Sequence, residues 1–133
     1  MKAILFADGA ARGNPGPAGA GAVLLDADGH VVAELTKFVG RQTNNFAEYT
    51  ALIIGLEEAR RRGVDDIDVR MDSKLVVEQV SGRWKTKHPN ITELALLAKQ
   101  LFASFPTRHI AHVPREENVI ADALSNKAID DAA

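Results

Sequence analysis

The pattern of apolar residues changes near residue 43, and this change constrains the fold more than any other feature of the sequence. Before it, three short segments lack helical spacing of apolar residues, which predicts strands. After it, segments with apolar residues three and four positions apart alternate with short strand-like segments, which predicts helices between strands. This order indicates an α/β fold: a five-stranded mixed sheet, its first three strands an antiparallel meander, with helices on both faces.

The predicted elements follow the order β-β-β-α-β-α-α-β-α. Strands are predicted at Lys2 to Asp8, Gly21 to Leu25, His30 to Val39, Asp65 to Asp72 and Arg108 to Val113. Helices are predicted from the cap residues Thr43-Asn44-Asn45 to Gly63, and over Lys74 to Val80, Pro89 to Phe105 and Glu116 to Ile129. The glycine-rich segment Gly9 to Gly19 is predicted to be a loop, and Asp26 to Gly29 a hairpin turn. The third helix is predicted to bury one apolar face, formed by Leu94, Leu97, Leu101 and Phe105.

Length and composition exclude several classes of protein. A chain of 133 residues predicts a single domain, residues 1–133. No apolar run approaches the roughly 18 to 20 residues of a membrane helix, and the first one ends at Asp8, too early for a secretory signal, so a cytoplasmic protein is expected. The absence of cysteine excludes disulfides, thiolate catalysis and cysteine-bound zinc. A net charge of −2 argues weakly against unaided nucleic-acid binding, although two divalent cations would reverse its sign.

Four acidic residues occupy positions where the predicted fold does not by itself require a charged side chain. Asp8 and Asp72 end predicted strands, and Glu48 and Asp122 lie among apolar residues near predicted helix starts. Each also has a structural explanation, as a turn, a cap, a surface residue or a partner of the helix dipole, so no single acid is decisive. If the four converge at one edge of the sheet, their charges repel unless a divalent metal binds between them. Carboxylates suit Mg²⁺, and a pair of such ions can catalyse phosphodiester hydrolysis.

The motifs around these acids resemble those of a known family. They are Asp8-Gly9-Ala10 through Gly13-Asn14-Pro15-Gly16, Thr43-Asn44-Asn45-Phe46-Ala47-Glu48, Met71-Asp72-Ser73 and Asn118-Val119-Ile120-Ala121-Asp122. In this order and spacing, the chain resembles the ribonuclease H type 1 family over nearly its whole length. The resemblance implies a ribonuclease H-like fold and an endonuclease that cuts the RNA strand of RNA/DNA hybrids, leaving 5′-phosphate and 3′-hydroxyl ends.

The resemblance also implies catalytic roles. It makes metal ligands of Asp8, Glu48, Asp72 and Asp122, in a site for two Mg²⁺ ions that Mn²⁺ could replace. Asp8 would contact both ions and Asp122 the ion that activates water, while Glu48 and Asp72 would hold the ion on the leaving-group side. The loop before the last helix supplies a further residue in this family. We favour Arg115, in a short Pro-Arg-Glu loop, over His112, although Arg115 could instead pair with a neighbouring glutamate.

Polar residues beside the acids are candidates for substrate binding. Proteins distinguish RNA from DNA by contacts to 2′-hydroxyls. Side chains that both donate and accept hydrogen bonds suit this task, and the resemblance favours Asn14, Asn44, Asn45 and Ser73. Thr43 with Asn44 at a predicted helix N-terminus could hold a DNA phosphate, and Arg41 could add a charge. The basic segment Arg83 to His88 combines cations such as Lys85 with Trp84, which resembles the aromatic residue that lines the family's channel for the DNA strand. Turn and cap chemistry, or a core tryptophan, are the alternatives.

The sequence resembles a short form of the family. Many members insert a basic helix and loop near Arg83, for which this chain lacks room, and we expect no hybrid-binding module before the strand that begins at Lys2. We therefore expect a monomer with modest, salt-sensitive affinity for RNA/DNA hybrid and no membrane association. Two other functions stay open. Members with the Pro-Arg-Glu loop make double-stranded RNA a possible substrate, and a non-catalytic module is disfavoured because all four acids are present.

Overall fold

Five strands form one mixed sheet in the computed structural model, which describes all 133 residues. The strands are β1 (Lys2–Ala11), β2 (Gly16–Asp26), β3 (Val31–Gln42), β4 (Asp66–Met71) and β5 (Thr107–His112). The helices are α1 (Asn44–Arg61), α2 (Lys74–Val80), α3 (Pro89–Ala103) and α4 (Val119–Ala132), and a 3-10 turn spans Arg115–Glu117. The strand order is β3-β2-β1-β4-β5, with β1 to β3 antiparallel and β4 and β5 parallel to β1. This topology confirms the predicted mixed sheet and its antiparallel meander.

The two faces of the sheet are covered by different helices. Alternate residues of β1, such as Leu5 and Ala7, are fully buried in one apolar core with residues of α1, α2 and α3. On the opposite face α4 packs against β2, β1 and β3, and its residues Ala121 and Ser125 are fully buried. The prediction of helices on both faces is therefore confirmed. None of these helices combines the length and the apolar character needed to cross a bilayer.

Glycines in β1 and β2 allow the helices to approach the sheet very closely. A Cβ atom on Gly9 would lie 2.3 Å from the backbone nitrogen of Glu48 in α1. A Cβ atom on Gly21 would lie 2.4 Å from the backbone nitrogen of Ser125 in α4. Any side chain at these positions would displace a helix backbone. Because Gly21 pairs with Asp8 across the β1–β2 ladder, both close approaches occur beside the same acidic residue.

The predicted loop over Gly9 to Gly19 is correct only for residues 12–15. β1 continues to Ala11 and β2 begins at Gly16, so that only residues 12–15 lie outside the two strands. Asp8 consequently lies within β1 rather than at its end. The small residues of this segment lie mainly in strands, where they make room for α1 and α4. Their glycine-rich composition is nevertheless typical of a loop, which explains the prediction.

Two predicted helical features also differ from the structure. Leu97 is 40% exposed and Leu94 is half-buried, so the predicted apolar face of α3 is only partly correct. Because α3 packs closely against α1, its buried side instead contains small residues, and the buried set is Ile91, Ala95, Ala98, Leu101 and Phe102. The last helix begins at Val119 rather than Glu116, because a separate 3-10 turn precedes it.

Candidate active site

One open pocket gathers the four acidic side chains singled out in the sequence. It has a volume of about 410 Å³, and the acids that line it are Asp8, Glu48, Asp72 and Asp122. The other lining residues are Gly9, Ala10, Ala11, Arg12, Asn44, Arg115 and Asn126. Four groups that are far apart along the chain thus share one cavity, and neither histidine nor cysteine is among the lining residues.

The fold brings each acid to this pocket through a different element. β1 and β4 run parallel with Ala7 opposite Met71, so Asp8 and Asp72, the next residues along, lie side by side. Glu48 lies near the start of α1, where the close approach at Gly9 holds the helix against β1. Asp122 lies in the first turn of α4 on the other face of the sheet. The pocket is therefore located where two strands and two helix starts meet.

Burial and mutual repulsion make these carboxyl groups hard to ionise. Burial, followed by the charge of Asp72, a hydrogen bond with Asp122 and the charges of Asp122 and Glu48, raises the pKa of Asp8 from 3.8 to about 8. Burial also raises the pKa of Glu48 from 4.5 to about 7; a hydrogen bond from the Ser73 hydroxyl opposes this shift and the charge of Asp72 adds to it. Without a cation the pocket therefore holds protons near neutral pH.

The buried side chain of Asn118 holds Asp72, one of the four acids, in position. Its side chain is 1% exposed, and its Nδ2 donates hydrogen bonds to the Ala7 carbonyl at 3.0 Å and to Oδ1 of Asp72 at 2.9 Å. Its Oδ1 is buried and has no hydrogen-bond partner. The amide thus connects the segment before α4 to β1 and fixes one oxygen of the Asp72 carboxylate.

Two arginines complete the rim of the pocket. Arg115 is exposed in the 3-10 turn and lines the cavity, whereas His112 is also exposed and does not line it. Arg12 lines the cavity from the β1–β2 loop and forms an ion pair with Asp130 of α4. The positions agree with the preference for Arg115 over His112, but its catalytic role stays a prediction.

A groove leads from the pocket past the start of α1, and we call it the α1 groove. It consists of two adjoining depressions that share Asn45, His88 and Ile91 and are further lined by Asn14, Thr43, Leu75, Gln79, Lys85, Lys87 and Pro89. Asn44 connects it to the pocket, since its Oδ1 accepts a hydrogen bond from Ala11 N at 2.9 Å and its own N–H donates to Oδ1 of Asn14 at 3.1 Å. Thr43 caps α1 by accepting from Phe46 N at 3.2 Å.

Comparison with known proteins assigns the chain to a family. A family described as "Reverse transcriptase-like" matches residues 6–128. The bifunctional protein Rv2228c of Mycobacterium tuberculosis is 52% identical over 134 residues, which cover 100% of this chain and 37% of that protein. The crystal structure of RNase H1 from the archaeon Halobacterium salinarum is 48% identical with a TM-score of 0.94, and the match covers 98% of this chain and 99% of that one. The chain belongs to the ribonuclease H type 1 family.

A further member of this family was solved with nucleic acid. The LC11-RNase H1 structure in complex with RNA/DNA hybrid is 43% identical to this chain, with a TM-score of 0.92 and 98% of both chains covered. The chain spans only 37% of the length of the first curated relatives it matches, the mycobacterial proteins. The comparison therefore establishes the family and the fold of this chain, and not the activity of the whole mycobacterial proteins.

Three candidate substrate residues of this ribonuclease H family member lie outside the pocket and the α1 groove. Arg41 is exposed on β3, opposite Pro17 of β2, and lines neither cavity. Trp84 is 44% exposed, with Nζ of Lys74 lying 5.9 Å from its ring centroid, so it is not a core residue. Ser73 is buried, where its hydroxyl caps α2 and contacts Glu48. Its position suits support of the acids more than contact with substrate.

The sequence interpretation missed three polar residues of the site. Arg12, Asn118 and Asn126 were not singled out individually, although the motifs around Asp8 and Asp122 lie close to all three. Asn126 donates to the Asp122 carbonyl at 3.0 Å and thereby braces the first turns of α4. A separate cluster of Asp26, Asp28 and His30 lies in the β2–β3 turn, far along β1 from Asp8, and it is not part of this site.

Proposed function

We propose that the chain is a metal-dependent endoribonuclease that hydrolyses the RNA strand of RNA/DNA hybrids with two divalent ions, leaving 5′-phosphate and 3′-hydroxyl ends. The convergence of four carboxylates in one open pocket carries this proposal. Membership of the ribonuclease H type 1 family supports the reaction, and a relative solved with RNA/DNA hybrid supports the substrate.

The donor set of the pocket fits Mg²⁺ and also Mn²⁺. The four acidic side chains offer only oxygen ligands, which these hard cations prefer. Burial raises the pKa values of Asp8 and Glu48 most, and the charges of neighbouring acids raise them further; a cation would offset both effects. Asp8, Glu48, Asp72 and Asp122 would hold the metal. When bound, two such ions supply an activated water and stabilise the charge of the leaving oxygen.

The protein's own groups prepare the site for this reaction. Asn118 fixes one oxygen of Asp72 by hydrogen bonding, so that the orientation of this carboxylate does not depend on substrate. The hydroxyl of Ser73 donates to Glu48 and favours its charged form. Because a guanidinium stays protonated, Arg115 can stabilise negative charge in the pocket but cannot act as a base. We therefore assign Arg115 to stabilising the attacked phosphate or releasing the product.

The α1 groove suits a second strand bound through its phosphates. At the start of α1 the N–H groups of Asn44 and Phe46 already donate to Asn14 and Thr43, so the Asn45 N–H is the backbone donor left for a phosphate. Lys85 and Lys87 add positive charge further along the groove. Asn44 uses its Oδ1 to accept from Ala11, which leaves its Nδ2 free to donate to a 2′-hydroxyl near the pocket. We propose that the groove holds the DNA strand while Asn44 at the pocket contacts the RNA strand; Asn14 and Asn45, which were predicted to contact 2′-hydroxyls, line the groove instead.

The test is a cleavage assay on three labelled duplexes: RNA/DNA hybrid, double-stranded RNA and double-stranded DNA, each with Mg²⁺, Mn²⁺ or EDTA. We expect hybrid cleavage that requires metal and is abolished by Asp72→Asn. The matched control is Asp68→Asn, because Asp68 belongs to the same strand segment but pairs with Arg70 and does not line the pocket. This variant should cleave normally.

The outcomes separate the possible functions. Equal cutting of double-stranded DNA, or undiminished cutting by Asp72→Asn, would overturn the proposed mechanism. Cleavage of double-stranded RNA beside hybrid would widen the substrate range of the same site. Binding of hybrid without cleavage under any metal would identify a non-catalytic module. A cytoplasmic, monomeric enzyme remains our prediction for its location and assembly.

A further inference from the structure

Arg12 is a cation that lines the acidic pocket and forms its ion pair with an acid other than the four carboxylates. Its guanidinium lies 2.7 Å from Oδ1 of Asp130 near the end of α4. The two side chains are 47% and 62% exposed. An exposed ion pair of this kind is worth little and exchanges readily with other partners. The pair can therefore open whenever a stronger anion comes within reach of Arg12.

The backbone of Arg12 is fixed even though its side chain is exposed. Its N–H donates to the Pro17 carbonyl at 2.9 Å. A Cβ atom on Gly16 would lie 2.0 Å from the Arg12 carbonyl oxygen, so the two chain segments of the loop are in very close contact. The preceding residue, Ala11, donates to Asn44 of α1. A long, flexible cation thus extends from a rigid base at the rim of the pocket.

The loop that carries Arg12 has two sides with different partners. Asn14 interacts with the start of α1 and lines the α1 groove, whereas Arg12 reaches α4 and lines the acidic pocket. A strand bound in the pocket therefore meets Arg12, while a strand bound in the α1 groove meets Asn14. The groups nearest to Arg12 on a nucleic acid would be phosphates of the strand in the pocket.

We propose that Arg12 binds a backbone phosphate of the strand being cleaved, and that Asp130 holds the guanidinium beside the pocket until this phosphate displaces it. The proposal rests on the function proposed above, because it places the cleaved strand at the four carboxylates. Arginine suits the task, since its planar fork matches two phosphate oxygens. Asp130 competes with substrate for the same cation, so its removal should strengthen substrate binding.

Two substitutions that should change KM in opposite directions test the proposal. Arg12→Ala should raise KM for hybrid about tenfold with little change in kcat, since it removes a charge-assisted contact made in both ground and transition states. It should also reduce by about one the slope of log binding constant against log salt. Asp130→Asn should instead lower KM by about two- to five-fold, as it releases Arg12 from an exposed pair. The double variant should match Arg12→Ala, because Asp130 acts only through Arg12.

Binding is measured by the fluorescence anisotropy of labelled hybrid, with Mg²⁺ and over a series of salt concentrations, in proteins that also carry Asp72→Asn. KM and kcat are measured in the proteins that retain Asp72. Arg12→Lys should restore the salt slope but only part of the affinity. Asp131→Asn is the matched control, because this neighbouring acid pairs with Lys127 outside the pocket. It should leave KM unchanged.

A merely structural pair predicts a different result. If Arg12 and Asp130 only tether the loop to α4, then both substitutions should lower thermal stability and activity together, and that outcome overturns the inference. An unchanged KM and salt slope in Arg12→Ala overturns it as well. In both cases wild-type cleavage of hybrid would leave the proposed function standing, whereas a wild type that neither binds nor cleaves hybrid would refute both.

Discussion

Asp8 should make the metal-free protein less stable as pH rises. Its pKa is raised from 3.8 to about 8 in the folded protein, first by burial and then by the neighbouring acids. The unfolded chain keeps the ordinary value, so the folded state binds more protons between these two limits. A group that binds protons more tightly when folded loses its stabilising contribution as pH rises through this window. The free energy of unfolding should therefore decrease from about pH 4 to about pH 8.

The size of the effect follows from the width of the window. Each pH unit within it changes the free energy of unfolding by about 1.4 kcal/mol for one such group, which amounts to roughly 2 to 3 kcal/mol between pH 5 and pH 7. Glu48, with a pKa raised to about 7, acts in the same direction. The pKa values of Asp26, Asp65 and Glu78 are lowered, so these groups change the free energy of unfolding only at pH values below their ordinary pKa values. They therefore do not contribute to the change between pH 5 and pH 7.

Asp8→Asn isolates this contribution. The asparagine keeps an oxygen that can accept the hydrogen bond from Gly9 N, at 2.9 Å in the native protein, and it cannot ionise, so folding no longer requires proton uptake at this position. We expect the variant to be more stable than the wild type in EDTA, with a difference that is larger at pH 7 than at pH 5 by about 2 to 3 kcal/mol. Asp28→Asn, which neutralises an exposed acid in the β2–β3 turn, is the control and should retain the wild-type pH dependence.

The measurement is urea unfolding followed by circular dichroism at pH 5, 6 and 7. Mg²⁺ should reduce the pH dependence of the wild type, because the cation offsets the same charges, and should have much less effect on the variant. The reasoning is refuted if Asp8→Asn and the wild type show parallel pH dependences in EDTA, or if the metal-free wild type becomes more stable from pH 5 to pH 7.

Three further substitutions probe the supports of the site. Asn118→Ala should lower the unfolding free energy by about 1 to 3 kcal/mol and reduce kcat more than KM, because Asp72 loses a buried hydrogen bond; urea unfolding and steady-state kinetics measure both. Gly9→Ala should cause a large loss of activity and weaker Mg²⁺ binding by calorimetry, since the new Cβ displaces the backbone at Glu48, and normal metal affinity would contradict this. Trp84→Ala should change stability by less than about 1 kcal/mol but weaken hybrid binding in anisotropy, whereas a loss of about 3 kcal/mol or more would indicate a core residue.

The sheet and the four acids could be predicted because their signals are local in the sequence. Strand and helix periodicities indicated the element order, and the motifs around Asp8, Glu48, Asp72 and Asp122 resembled a known family. The extents of β1 and β2 could not be predicted, because glycines such as Gly9 and Gly19 are typical of loops in most sequences. Here they allow a helix backbone to come within 2.3 to 2.5 Å of the position a Cβ atom would take, which depends on elements far along the chain.

The supporting residues were missed for a related reason. Asn118 looks like an ordinary helix-cap residue, and it becomes significant only because Ala7 and Asp72 lie within hydrogen-bond distance of its amide. Arg12 looks like a solvated loop residue until α4 brings Asp130 beside it. Polar residues of this kind carry no periodic pattern, so their partners emerge only from the tertiary structure.

The net charge of −2 is a weak guide to nucleic-acid binding, because the distribution of charge matters more than the sum. Cations such as Arg61 and Arg62 are already paired with Glu58, while Lys85 and Lys87 line the groove without an acidic partner. At the pocket the balance is opposite, since four carboxylates face any incoming phosphate. Two divalent ions would offset that negative charge and would at the same time complete the catalytic centre. Hybrid binding and hybrid cleavage should therefore depend on the same cations.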